Sequence, residues 1–454
     1  MNKISTTVAL FSSLFTMAQQ EVKDTLKEKI PFEGQDQTWQ NGSDRRTSPP
    51  VLTSKYFTGS VMVDANYTHS FKNPIDNTVV GSTALARNNE MQISSANLGG
   101  EFNYEGARGK IMLQFGTRST VIPRNDYSVY RGQYQLDNVY RYLSEAYAGY
   151  HFNKWYGINV DAGMFMSYIG LNSYYQVENW EYQASFTSDN TPWFFNGVRV
   201  QIFPTKHLKI EGWLINGWQS YGKFNSMPGI GGNLTWCPNE SVKLLTNDYY
   251  GTDAAGLKNR IRFHSDNSFL VRYFNQPKAK GISKAAFSST FDIGFESGDG
   301  VAGFNGNSET PSQYFLSGMI YNRVWFNNDT MAWTIGGGVM KNPGRYLVLY
   351  PTGDASPLPD PNNPTQTAGT HPFSANPGDK FEGWDCSTNF DYMPNQSITF
   401  RVEFVHRESS VPYFAGSGGV TSPTGYTTTP LPSDWKPDLV KMENRIIFAI
   451  LFRI

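Results

Sequence analysis

The chain ends on an alternation that few folds can accommodate. From Arg445 to Ile454 the even positions are Ile446, Phe448, Ile450, Phe452 and Ile454, and the odd ones Arg445, Ile447, Ala449, Leu451 and Arg453. A repeat of two is a strand, here with one continuous apolar face and one mixed face carrying charge at both ends. A terminal strand this apolar is an aggregating sheet edge in water unless something closes onto it. A transmembrane β-barrel supplies that closure, because its last strand pairs with its first and turns its apolar face to lipid. The tail therefore predicts an all-β fold: a transmembrane antiparallel up-and-down β-barrel over residues 54–454.

The remaining composition agrees. Aromatic residues make up 15% of the 454 and Gly numbers 42, yet mean hydropathy is −0.45. A barrel looks polar on average because half its strand residues face a wet lumen. No apolar run approaches the roughly eighteen residues a spanning helix needs. A net charge of −1 leaves no basis for nucleic-acid binding. Lys3, the modestly apolar stretch Ile4 to Met17 and the small residues around Ala18 read as a signal peptide over 1–18. Residues 19–53 are polar, include Arg45, Arg46, Pro49 and Pro50, and read as a flexible periplasmic arm, with a lumen plug as the alternative. Cys237 and Cys386 fall in segments far apart around the sheet and lack paired metal-site spacing, so both are expected to be unpaired.

Alternating segments recur from the arm to the end. Ala96, Leu98, Gly100, Phe102 and Tyr104 form one apolar face; Ile111, Leu113 and Phe115 form the next. Ile398, Phe400, Val402 and Phe404 oppose Thr399, Arg401 and Glu403. Tight turns are expected near 105–106, 153–154, 204–205, 238–239, 275–281, 327–329 and 394–395. They alternate with longer polar links near 70–91, 121–136, 168–192, 219–227, 251–256, 297–311, 342–382 and 409–440. Short periplasmic turns alternating with long outer loops is the barrel pattern, and this spacing gives about 16 strands. That count treats 257–275 as one strand and Val177 to Phe186 as outer loop; other choices give 14 or 18. Tyr104, Phe152, Trp155, Tyr156, Phe203 and Trp236 gather where strands meet turns, as an aromatic girdle would.

An ordered series of short motifs runs through the middle of the chain: Gly163 to Gly170 with Ser167, Asn179 to Ser185, Gly197-Val198-Arg199, Asn216-Gly217-Trp218, Gly231 to Thr235, and Tyr250-Gly251-Thr252-Asp253. The series resembles the OmpL-like β-barrel porin family, common in Gram-negative bacteria, most closely over residues 140–260. The resemblance implies a pore in the bacterial outer membrane without naming a solute. Two positions depart from the family pattern: Leu171 follows Gly170 where an acidic residue is frequent, and the last residue is Ile454 rather than an aromatic one.

If the apolar faces look to lipid, the opposite residues line the lumen. The pore-lining candidates are Arg118, Arg141, Glu145, Asp161, Arg199, Lys258, Arg260, Arg262, His264, Arg272, Asp292, Arg401 and Glu403. Lys258, Arg260, Arg262 and His264 are the densest basic run and suggest solute contact with a mild anion preference. The plainer expectation for any one of them is a cross-strand ion pair in a wet interior. The six His, at 69, 151, 207, 264, 371 and 406, give no catalytic constellation and no metal-ligand pair on one face, so neither enzyme activity nor a metal or other cofactor is expected. Expected partners are outer-membrane lipid, small polar solutes or ions, and the barrel-assembly machinery during insertion; a homo-oligomer stays open. A non-conducting barrel serving as scaffold in an envelope complex is the alternative function. The long loops 342–382 and 409–440 are the segments expected either to fold inward as a constriction or outward as a contact surface.

Overall fold

The computed structural model describes residues 29–454 apart from 124, 125, 127, 129–133, 224–226, 255, 308–311, 345, 347–379 and 427–434. The expected signal peptide, the first ten residues of the expected arm, most of the 342–382 loop and part of the 409–440 loop lie outside the described residues.

The apolar and polar alternations become β1 (Phe57–Ser70), β2 (Met91–Tyr104), β3 (Ala107–Phe115), β4 (Leu143–Phe152), β5 (Ile158–Met166), β6 (Phe194–Thr205), β7 (Leu208–Ile215), β8 (Gly229–Asn239), β9 (Val242–Gly251) and β10 (Ile261–Asn275). They continue as β11 (Ile282–Gly298), β12 (Val301–Ala302), β13 (Tyr314–Phe326), β14 (Met331–Asn342), β15 (Phe381–Asn395), β16 (Ile398–Ser409), β17 (Phe414–Ala415), β18 (Leu439–Val440) and β19 (Met442–Arg453). β12, β17 and β18 are two-residue pieces. The other sixteen are antiparallel to their neighbours and form one closed wall, because β19 pairs with both β16 and β1. The closing register runs from Met62 opposite Arg453 to Ser70 opposite Arg445. Closure leaves no free sheet edge.

Burial follows parity. On β19, Phe448 and Ile450 are exposed while Arg445, Ile447, Ala449 and Leu451 are buried. Leu98, Ile111, Leu214, Ile320, Ile335 and Val402 continue the exposed apolar belt around the outside. Tyr104, Tyr150, Trp155, Trp236, Tyr273 and Tyr392 are exposed toward the short-turn end, where aromatic rings suit the bilayer interface. The turns are tight where their residues permit it. Glu105 and Gly106 both have positive φ, the pairing a two-residue hairpin turn needs; Asn327, Asn328 and Asp329 do the same between β13 and β14.

Two boundaries differ from expectation. β10 starts at Ile261, so neither Lys258 nor Arg260 is in the strand: Lys258 is exposed and Arg260 buried in the preceding loop, which turns at Gly256, whose φ is +77°. The second difference is larger. The lumen is not an open bore, because the connection 167–193 between β5 and β6 folds into it. Cys237 and Cys386 are both free.

Candidate functional site

The site is built by that inward connection. Its middle, Trp180 to Phe186, is almost completely buried, and it is held by side chains projecting inward from β13–β16, β19 and β1. The Trp180 carbonyl accepts from Arg323 (3.1 Å) and Asn389 (3.0 Å), and the Asn179 carbonyl from Arg401 (2.8 Å). The Glu403 carboxylate accepts the backbone N–H of Tyr182 (2.5 Å) and of Gln183 (2.8 Å). Arg445 donates to the Gln183 amide oxygen at 2.9 Å. The Tyr182 hydroxyl donates to Asp64 at 2.8 Å, and Asp385 accepts from the Ser185 hydroxyl and the Phe186 N–H. Arg407 lies 3.9 Å over the Phe186 ring and pairs with Asp189 at 3.1 Å. Buried backbone groups of a non-regular segment need such partners, and this half of the wall supplies them.

The wall is also shaped for the segment. A Cβ on Gly338 would collide with the Ser185 hydroxyl, and one on Gly383 would reach within 3.0 Å of the Phe186 ring. The apolar odd face of the last strand finds its explanation here: Ile447, Ala449 and Leu451 pack with Tyr182, Val79 and Leu85 inside the barrel. A second cluster joins Trp180 and Leu171 to Trp39 of the N-terminal segment and to Leu270, Met319, Tyr321 and Trp325 of the wall.

The opposite half of the wall, β2–β9, meets the segment through its aromatic side chains. The Tyr174 hydroxyl donates to Gln114 (2.6 Å), the Tyr168 hydroxyl donates to the Asp248 carbonyl (3.0 Å), and Tyr168 stacks on Trp213. This half borders a cavity of about 610 Å³. Lys110 pairs with Glu145 and lies 3.5 Å from Glu101. Arg199 binds Asp161 at 2.7 Å and stacks over Phe165 at 4.5 Å. Glu211 accepts from Gln201 (2.6 Å) and Trp213 (3.0 Å) and pairs with Lys209 at 2.9 Å. Tyr168, Tyr174, Tyr175 and Trp193 of the inward segment form the cavity's other side.

The sequence-derived candidates therefore separate into groups. Glu145 and Arg199, with Asp161 behind Arg199, belong to the cavity wall. Arg401 and Glu403 anchor the segment, and Asp391 bridges Arg401 and Arg323 at 2.7 Å each. Arg260, Arg262, His264 and Asp292 pair among the wall and loops. Arg260 and Arg262 share Glu296 (2.5 and 3.1 Å), and His264 sits 3.3 Å from Asp292 and 3.2 Å from the Tyr346 hydroxyl. The basic run is thus broken up: Lys258 is exposed on the loop, and the other three face partners. Arg272 is buried at the short-turn end against Asp36 and Glu240. Arg118 lies outside the strands, buried in a helical turn with its guanidinium 4.1 Å from the Tyr174 ring. Arg141 follows a second helical turn, 5.9 Å from the Tyr142 ring.

Sequence reasoning missed the inward segment and Lys243, another cavity residue. A signal existed. Asn179 to Ser185 was one of the family-like motifs, and its Trp180 and Tyr182 are unusual cargo for a loop in water. The part of the 409–440 loop that is described also turns inward, with Tyr413 and Phe414 buried against Phe186 and Phe381. At the outer rim, Asp126 accepts the Ser128 and Tyr221 N–H groups at 3.0 Å each, tying the 116–142 loop to the 216–228 loop. Burial pushes the Asp126 carboxyl up to about 6, against the hydrogen bonds that favour its charge. Among the described residues no His, Cys, Asp and Glu cluster could hold a metal ion.

No curated protein matches the sequence. Similar solved structures include the outer-membrane channel DcaP of Acinetobacter baumannii, at 12% identity and a TM-score of 0.49 over 90% of this chain and 100% of that one. OmpT of Vibrio cholerae has 7% identity and a TM-score of 0.47 over 89% and 99%. An anion-selective porin from Comamonas acidovorans has 10% identity and a TM-score of 0.47 over 88% and 99%. The family described as putative beta-barrel porin-2, OmpL-like, matches residues 56–429, and the chain belongs to that family of bacterial outer-membrane porin-like barrels.

Proposed function

We propose that the protein is a diffusion channel for small polar solutes or ions, with the route running along the β2–β9 side of the lumen. The observation that carries this reading is the cavity of about 610 Å³ between that wall and the inward segment. Its charged lining consists of Arg46, Lys110, Arg199, Lys209, Lys243 and Arg453 against Asp44, Glu101, Glu145, Glu178 and Glu211. With the two signs nearly matched, the route suits neutral and zwitterionic solutes, and the single excess cation supports no more than a mild anion preference. Narrowing by a fixed loop favours small solutes over large ones. The channel is not an enzyme, and it takes no cofactor. Insertion by the barrel-assembly machinery and assembly of several copies accord with the fold; among the similar structures, OmpT of Vibrio cholerae is recorded in a trimer form.

The test is planar-bilayer recording of the purified, folded protein, first intact and then with residues 29–53 deleted. Ion conductance with weak selectivity is the expected result. A barrel that stays silent in every form would instead favour the scaffold function, for which the heavily occupied lumen is the supporting observation.

A further inference from the structure

Residues 29–53 are tied to the barrel rather than free. Residues 35–46 cross the short-turn mouth partly or fully buried and enter the lumen at Trp39 to Asn41, while 47–53 run exposed at the mouth toward the start of β1. Three contacts tie the stretch to the rim. The Phe32 N–H donates to the Lys206 carbonyl (3.0 Å), Gln35 donates to the Cys237 carbonyl (2.9 Å), and Arg45 donates to the Ile398 carbonyl (2.7 Å). Two lumen arginines take carboxylates from the same stretch: Arg272 binds Asp36, and Arg453 lies 3.5 Å from Asp44. Trp39 is 1% exposed, packed beneath Trp180.

The inner end of the stretch meets the inward segment directly. The Trp180 N–H donates to Asn41 (2.9 Å), the Trp180 indole donates to the Trp39 carbonyl (3.1 Å), and Asn41 donates to Glu181 (3.3 Å). Gly42 has a φ of +73°, and a Cβ there would strike the Leu171 carbonyl. Phe32, Gln37, Gly42, Asp44, Arg46 and Pro50 also line the cavity, so the stretch forms its floor toward the short turns.

From these contacts we infer that residues 29–53 are a built-in plug of the pore, seated from the periplasmic mouth and latched at its inner end to the 167–193 segment. The inference rests on the channel reading. An arm that merely decorated the rim would not bury a tryptophan in the lumen, nor hydrogen-bond a loop that enters from the other side. Because the latch is shared, releasing the plug also removes three of the hydrogen bonds that hold Trp180 and Glu181, so the outer constriction loosens with it.

The experiment compares single-channel conductance of the full chain, a chain lacking residues 29–53, and Trp39→Ala, each checked for barrel folding by heat-modifiable gel mobility. The deletion should raise conductance severalfold, and Trp39→Ala should raise the open probability. Equal, non-zero conductance in all three would overturn the plug while leaving the channel intact. Silence in all three would overturn the channel itself. If the deletion fails to fold, Gln35→Cys combined with Trp39→Ala and Cys386→Ser decides the matter, since residue 35 sits against Cys237. Oxidation should suppress the extra openings and reduction should restore them; openings indifferent to oxidation of the formed disulfide would refute the plug.

Discussion

On β13–β16, β19 and β1 the inward charges are committed to a second piece of protein, whereas on β2–β9 they pair beside a cavity. Asp391, Arg401, Glu403 and Arg445 on the first side are all buried and bonded to or around the 167–193 segment. Lys110, Arg199 and Lys209 on the second side keep 17%, 13% and 24% of their side-chain surface accessible. Residue types and parity are the same on both sides. What differs is whether a polar backbone segment is there to be satisfied. A charge that supplies a buried loop's missing partners acts as structure, while the same charge bordering space can act on a solute. The contrast makes the two sides respond differently to the same kind of substitution.

The largest expected effect is on the filled side. Asp391 receives two guanidinium groups, from Arg323 and Arg401, each of which also holds a carbonyl of the inward segment. Asp391→Ala leaves both cations buried without their counter-charge, and breaking a buried pair in this way costs about 3–5 kcal/mol. Unfolding of the detergent-solubilised barrel by urea, followed by the shift in gel mobility, should show that loss. A change below about 1 kcal/mol would mean that water reaches the pair and that the filled side is not filled.

The architecture was readable from the sequence because strand parity and turn chemistry are local. Four of the tight turns fall on the Gly, Asn or Asp residues that interrupt the alternation. The other three come just after Pro204, Pro238 and Pro394, which sit at ladder irregularities in the strands, and β19 closes on β1. Half of the site was not readable, for two physical reasons. Parity tells which way Arg401 points but not what stands opposite, and it meets the Asn179 carbonyl from a distant part of the chain, while Arg260 meets Glu296 of the neighbouring strand. The segment Trp180–Phe186 has some local partners, such as Gln176 on the Tyr182 carbonyl and Asn190 on the Phe186 carbonyl. The bonds that hold it in the lumen go to residues such as Asp64, Glu403 and Arg445, more than a hundred positions away. Loop length drew attention to 342–382 and 409–440, yet aromatic content was the better guide, since a loop carrying Tyr174, Tyr175, Trp180, Tyr182 and Phe186 has apolar surface to bury.

An intermediate effect is expected on the cavity side. Lys209→Gln removes one cation from the nearly balanced lining and releases Glu211, which keeps its bonds from Gln201 and Trp213. The lost pair is partly solvated, so stability should fall by less than about 1 kcal/mol. The reversal potential in a salt gradient should move toward cation preference. Lys258→Glu, on an exposed loop, serves as the control and should move it much less. If the control shifts selectivity more than Lys209→Gln does, solutes pass nearer the β9–β10 loop, and the division of the wall drawn above is in the wrong place.

The smallest effect concerns the rim above the cavity, where Asp126 ties two loops together. Its carboxyl is held up at about 6 by burial and by the neighbouring Asp137, above the ordinary value of about 3.9 for a free Asp. The folded rim thus binds this proton more tightly than the unfolded loop does. Stability is fully present below pH 4 and declines as pH rises from about 4 to about 6, where the folded carboxyl ionises; beyond that it is level. Hydrogen exchange at the Tyr221 amide, which donates to Asp126, reads the tie directly once intrinsic exchange rates are removed. Protection should fall on the order of tenfold between pH 4.5 and 7.5, and Asp126→Asn should flatten the profile. A protection that rises with pH would mean that the two N–H donors outweigh burial, so that the rim tightens rather than loosens as the carboxylate forms.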